Sequence, residues 1–158
     1  MAERDNGASA RARPRQDAPY AARVADGSVV EGLVRELYAR LWEAGDRAAP
    51  DGILHPELVF RGSVGMERRG INGFWDYLSL VRTALDDYRC DILSLIADGP
   101  HAAAKMYFHG VHRGKFLGIA PSGRHIGWHG AAFFEVRDGL LADIWVLGDV
   151  DGLRAAMK

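Results

Sequence analysis

The dipeptide Asp138-Gly139 sits between two strand-like runs, residues 124–137 and 140–149, and Asp-Gly in that setting closes a two-residue hairpin. Such a turn fixes how both strands pair, because side chains alternate between faces and a one-residue slip moves every one of them to the other side. With Arg137 opposite Leu140, Phe134 faces Asp143, Ala132 faces Trp145 and Trp128 faces Asp149. One side of the hairpin then carries Trp128, Gly130, Ala132 and Phe134 together with Trp145, Leu147 and Asp149. This reading puts a carboxylate among aromatic rings, where desolvation disfavours its charged form and suits it to shuttle protons near neutral pH. The same Asp149 is also a candidate helix cap, since Gly148-Asp149-Val150-Asp151-Gly152 can open a terminal helix.

Two further strands are expected at 88–97 and 102–113, separated by Asp98-Gly99-Pro100, with a long Gly/Pro-bearing loop at 118–123 before the hairpin. Helical spacing precedes them. Ser28 and Glu31 form a capping box ahead of Val30, Val34, Leu37, Tyr38, Leu41 and Trp42, and Gly45 is placed to end that helix in the left-handed conformation. A Pro50-Asp51-Gly52 turn and a short strand at 58–61 follow. Ile71, Phe74, Leu78, Val81 and Leu85 mark a second helix after Gly70. Helices first and a run of strands afterwards predict an α+β fold rather than a parallel βαβ one.

The 158 residues amount to one domain, with residues 28–158 carrying the fold. Residues 1–27 hold few large apolar side chains and are expected to form a disordered tail. A net charge of −1 offers no electrostatic basis for nucleic acid or an anionic membrane as partner, which leaves a small molecule as the expected one. The single Cys90 excludes an intrachain disulfide, and the first residues show no apolar signal run, so a cytoplasmic location is expected.

The six histidines raise the question of a metal. On one strand His125 and His129 lie roughly 13 Å apart, and His109 and His112 point to opposite faces, so neither pair chelates as it stands. Only ligands contributed across strands would change that, and no metal is expected. His112 shares a face with Met106 and Phe108 and precedes the long loop.

Several strings, in this order and spacing, resemble the SnoaL-like polyketide cyclases, also called ester cyclases, of the nuclear transport factor two-like superfamily. They are Val34-Arg35-Glu36-Leu37-Tyr38 through Trp42-Glu43-Ala44-Gly45-Asp46, His55-Pro56-Glu57-Leu58-Val59-Phe60, Gly70-Ile71-Asn72-Gly73-Phe74, the Gly110–Arg124 run, Arg137-Asp138-Gly139, and Trp145 with Asp149 four residues later. The resemblance implies a cone-shaped α+β barrel, in which a curved mixed or antiparallel sheet and the N-terminal helices enclose a deep hydrophobic pocket. It also implies a homodimer joined through the sheet, a hydrophobic substrate and no cofactor.

In those cyclases the acid matching Asp149 is the general acid/base of an intramolecular aldol closure. By the same resemblance His112 and Trp128 orient substrate or stabilise charge, and Tyr38, Phe60, Phe134 and Trp145 shape the apolar wall. Ala132 and Glu135 depart from the family pattern, where relatives often carry a polar or acidic and a basic residue. Epoxide opening by Asp149 or Glu135 with His112, an isomerase, and a noncatalytic carrier of a hydrophobic metabolite are the alternatives on this fold.

Overall fold

A six-stranded mixed sheet with three helices forms the domain in a computed structural model that describes residues 19–158, with side chains from Gly27 on. Helix α1, Pro19–Glu36, runs on without a break into a π-helical segment, Leu37–Glu43. After a single turn at Pro50–Gly52 come β1, Leu54–Arg61, and the two-residue β2, Arg68–Arg69. Helix α2, Gly70–Ala84, leads directly into β3, Leu85–Asp98. The long strands β4, His101–His112, β5, His125–Arg137, and β6, Leu140–Gly148, follow, and α3, Val150–Ala156, ends the chain.

The strands lie in the order β2-β1-β6-β5-β4-β3; β1 runs parallel to β6 and every other pair is antiparallel. The sheet is open, since β2 and β3 are its edges and do not pair with each other. Its inner face is apolar at alternate positions, for example Ala102, Ala104, Met106 and Phe108 on β4, and the helices cover that face to make one core. Among the described residues no helix is long and apolar enough to cross a membrane.

Three expectations change. Helix α1 begins at Pro19, so Ser28 lies within it and not at its cap. Proline suits a first helical position, and Ala21, Ala22 and Ala25 favour the helix that follows. Of the expected tail, residues 1–18 lie outside the described residues. The stop at Gly45 is found, with φ of +65°, but the two turns before it widen to π-helix. The Arg82 guanidinium closes that end by donating to the carbonyls of Trp42 and Glu43 at 3.0 and 3.1 Å.

The hairpin holds the largest change. Arg137 pairs with Leu140 and Val136 with Leu141 as expected, but Glu135 then pairs with Asp143, leaving Ala142 as a bulge. One extra residue exchanges the faces of all that follows, so Leu141, Ala142, Ile144 and Val146 are buried while Trp145 and Leu147 are exposed. Phe134 consequently faces Ile144, and Ala132 faces Val146.

Candidate active site

Aromatic rings from the π-helical segment, α2 and four strands converge on the inner face. Trp128 of β5 packs against Phe108 of β4 at 5.5 Å, Tyr88 of β3 at 6.2 Å and Phe116 of the β4–β5 loop at 6.3 Å. Tyr88 continues to Trp42 at 5.5 Å, and Trp42 meets Phe60 and Tyr77. Tyr38 stands edge-on to Phe134 at 6.3 Å. Tyr38, Trp42, Phe60, Tyr77, Tyr88 and Phe108 surround a cavity with about 20 Å³ of free room, enough for one water.

Burial raises the pKa of Tyr38, Tyr77 and Tyr88, because the phenolate form cannot be solvated there. A raised folded-state pKa contributes stability that is complete below the unfolded tyrosine value, about 10, and is lost as pH rises beyond it. Alkaline titration should therefore show the three phenols ionising together with unfolding above about pH 10, read by absorbance at 295 nm beside circular dichroism. Ionisation of all tyrosines with the fold intact would contradict this packing.

Backbone close to the cavity is tight. Gly62 lies under the Tyr77 ring and Gly148 beside Trp128 and Ser63, so a Cβ at either position would collide. Ser63 Oγ accepts from Trp128 Nε1 at 3.2 Å, and the Val64 amide donates to the Tyr77 hydroxyl at 3.1 Å. The β1–β2 connection is thus tied to two rings of the aromatic cluster.

His112 ends β4 on the same inner face and is fully buried, at 0 % exposure. Its Nδ1 accepts from the Ser122 backbone amide at 3.2 Å and lies 3.1 Å from the Ser122 hydroxyl. An amide can only donate, so Nδ1 carries the lone pair and the neutral ring bears its hydrogen on Nε2. Among the described residues that Nε2 meets no hydrogen-bond partner. A buried donor without an acceptor costs about 1–3 kcal/mol, which a carbonyl or developing oxyanion of a bound molecule would recover.

The structure brings Tyr38, Phe60, Trp128, Phe134 and His112 to the inner face and separates the other three site candidates from it. Trp145 faces outward beside Phe133 at 5.9 Å, with the Arg61 guanidinium 5.2 Å over its ring. Glu135 is exposed opposite Asp143, whose own pKa burial and the Glu135 charge raise. The expected placement of Trp145 in the pocket wall is corrected by the bulge at Ala142, and Glu135 lies outside it because it alternates with the buried Phe134 along β5. Asp149 is exposed one residue beyond Gly148 and caps α3, its Oδ1 accepting from the Gly152 amide at 2.8 Å. The aromatic surroundings inferred for Asp149 from the turn are therefore not there, whereas the capping role is.

Three contributors escaped the sequence reading. Tyr77 stood beside the α2 stripe, Tyr88 opened a strand, and Ser122 lay in the loop with nothing to mark its link to His112. The Pro121-Ser122-Gly123 string was the only local hint, because proline and glycine mark a turn and a serine hydroxyl there can bond nearby groups. No group of three potential metal ligands occurs among the described residues.

This fold is found in solved proteins. TsrD from Streptomyces laurentii superposes with a TM-score of 0.73 at 30% identity, over 84% of this chain and 96% of that one. A candidate SnoaL-like polyketide cyclase from Jannaschia sp. CCS1 gives 0.76 at 17% identity, over 84% and 93%. IdmH from Streptomyces antibioticus, a candidate polyketide cyclase, gives 0.70 at 19% identity, over 80% and 96%. No curated protein matches the sequence. The profile of the SnoaL-like polyketide cyclases, by contrast, matches residues 32–157, from the first buried turns of α1 through the cap at Asp149 and on to the end of α3. With four-fifths of its length under that profile and its open sheet reproduced in these relatives, the chain belongs to the SnoaL-like polyketide cyclase family.

Proposed function

We propose that this protein closes a ring within a polyketide-derived hydrophobic substrate by cofactor-independent acid–base catalysis of aldol type. The observation that carries the reading is His112, a buried imidazole whose tautomer Ser122 fixes and whose Nε2–H meets no acceptor among the described residues. In the reaction Asp149, exposed just beyond the end of β6, takes a proton from a carbon between two carbonyls. The resulting enolate attacks a second carbonyl of the same molecule to form the carbon–carbon bond, and the proton held by Asp149 returns to the new alkoxide. His112 Nε2–H donates to the oxygen on which charge develops. Trp128, Tyr38, Phe60 and Phe134 supply the apolar wall. A multi-ring substrate needs some hundreds of Å³, so binding requires the rings around the cavity to part, and the Val64–Tyr77 and Ser63–Trp128 hydrogen bonds hold the β1–β2 connection against that movement.

Mass spectrometry of anthraquinone-type polyketide esters and hydroxy-epoxides incubated with the protein, no cofactor added, tests this. Conversion of an ester to an isomer of equal mass is expected. Conversion of the epoxides alone would assign an epoxide-opening enzyme, and binding without conversion would assign a carrier.

We also infer a homodimer through the outer face of the sheet. Phe133, Trp145, Leu147 and Ile96 are large apolar side chains exposed on that face, 49%, 38%, 54% and 70% respectively, and such a patch favours association. Light scattering should give twice the chain mass for the wild type and the chain mass for the double variant Trp145→Glu, Leu147→Lys; a monomeric wild type would refute the dimer.

A further inference from the structure

On the outer face, at the end of the sheet away from Phe133 and Trp145, three side chains from three strands form a line. His109 of β4 presents Nδ1 to His125 Nε2 of β5 at 3.1 Å, and on its other side His109 Nε2 lies 3.1 Å from Asp91 Oδ2 of β3. The pairing explains the contact: Val111 is opposite His125 and His109 opposite Gly127, so the two imidazoles are diagonal neighbours on one face. Their rings are 5.1 Å apart, and Tyr107 stacks on His109 at 5.2 Å. The Tyr107 hydroxyl lies over Gly127, where a Cβ would strike it, which keeps the ring beside the pair.

The geometry points to a divalent transition-metal site in which His109 Nδ1 and His125 Nε2 are the two protein ligands and Asp91 is the carboxylate that orients His109. Two imidazole nitrogens 3.1 Å apart are already spaced as neighbouring ligands of one ion. An ion held at about 2.0–2.1 Å from both would see them at about 100°, between the tetrahedral and square-planar angles, which suits Zn²⁺, Ni²⁺ or Cu²⁺. Asp91 accepts the hydrogen of His109 Nε2, leaving Nδ1 with a lone pair that accepts from His125 Nε2 in the empty site and is free for an ion once that hydrogen leaves, as in the carboxylate–histidine–metal arrangement of bound metals. On binding His125 exchanges its Nε2 hydrogen for one on Nδ1, a change of tautomer, so neither ring changes charge.

Within either strand the histidine spacing forbids chelation; the β4–β5 register supplies it across strands. With two protein ligands the remaining positions belong to water, which makes the site exchangeable rather than structural. It lies about 26 Å along β5 from Phe133 by strand rise, and on the opposite face from the aromatic cavity. It therefore does not rest on the cyclase reading.

Untagged, chelator-treated protein titrated with ZnSO₄ and with NiCl₂ in a calorimeter is the test. One ion per chain is expected, with a dissociation constant of about 0.1 mM or tighter. His125→Ala and His109→Ala should each abolish that binding, and Asp91→Asn should weaken it by about 10-fold or more, while His101→Ala leaves it unchanged. Circular dichroism of each variant separates loss of the site from loss of the fold. No binding by the wild type below millimolar metal would overturn the site. So would a His101→Ala variant that loses as much affinity as His125→Ala, since binding would then be to scattered surface histidines.

Discussion

Replacing Asp149 by asparagine is expected to lower turnover of the cyclised ester by about 10²–10⁴-fold, the usual worth of a positioned general base. Stability should hardly move. The carboxylate is exposed and its structural task is to accept from the Gly152 amide, which an asparagine oxygen performs as well. The substitution removes the proton acceptor and keeps the cap, so steady-state kinetics and the melting temperature answer separate questions. Melting within about 2 °C of the wild type is the expected control. Unchanged turnover in a folded variant would release Asp149 from catalysis and leave it as a cap alone.

Phe60→Ala should be the most damaging change to the fold. The ring is 1% exposed and touches Phe74 at 5.2 Å and Tyr77 at 5.1 Å, with Trp42 beyond. Neighbours of this size cannot collapse into the space left, so the loss should be about 3–5 kcal/mol, the range for large aromatic truncations in a core. In a domain of this length that corresponds to a fall of roughly 10–15 °C in melting temperature. Denaturant and thermal unfolding measure it, and a loss below about 1 kcal/mol would mean that the cluster is far looser than its contacts indicate.

The helices and long strands were legible because their apolar residues recur at a single period. Phe74, Leu78 and Val81 on α2 and the alternation of Met106 and Phe108 on β4 admit one reading each. Strand β6 was different. In Leu140–Gly148 both faces are apolar, so Ile144 and Val146 compete with Trp145 and Leu147 for the core and the period cannot choose. The turn chemistry at Asp138-Gly139 was right for its first two pairs and misled beyond them, because Ala142 leaves no mark in the sequence as a bulge.

The site was legible in part for the same reason. His112 and Trp128 follow from strand parity, whereas the environment of Asp149 depended on the register that failed. The His109–His125 contact depends on diagonal pairing between strands sixteen residues apart, which no within-strand spacing reveals.

The position of β1 in the sheet has a consequence for synthesis on the ribosome. Its neighbours are the two-residue β2 and, on the other side, β6, which is made about eighty residues later. At about 5–20 residues per second β1 waits several seconds or more for its principal partner. Through that interval the apolar side chains Leu58 and Phe60 have only the two helices to rest on. The nascent chain is thus committed to carrying a strand with one edge unpaired, and α2, which packs against β1 and is made before the later strands, is the element positioned to shield it.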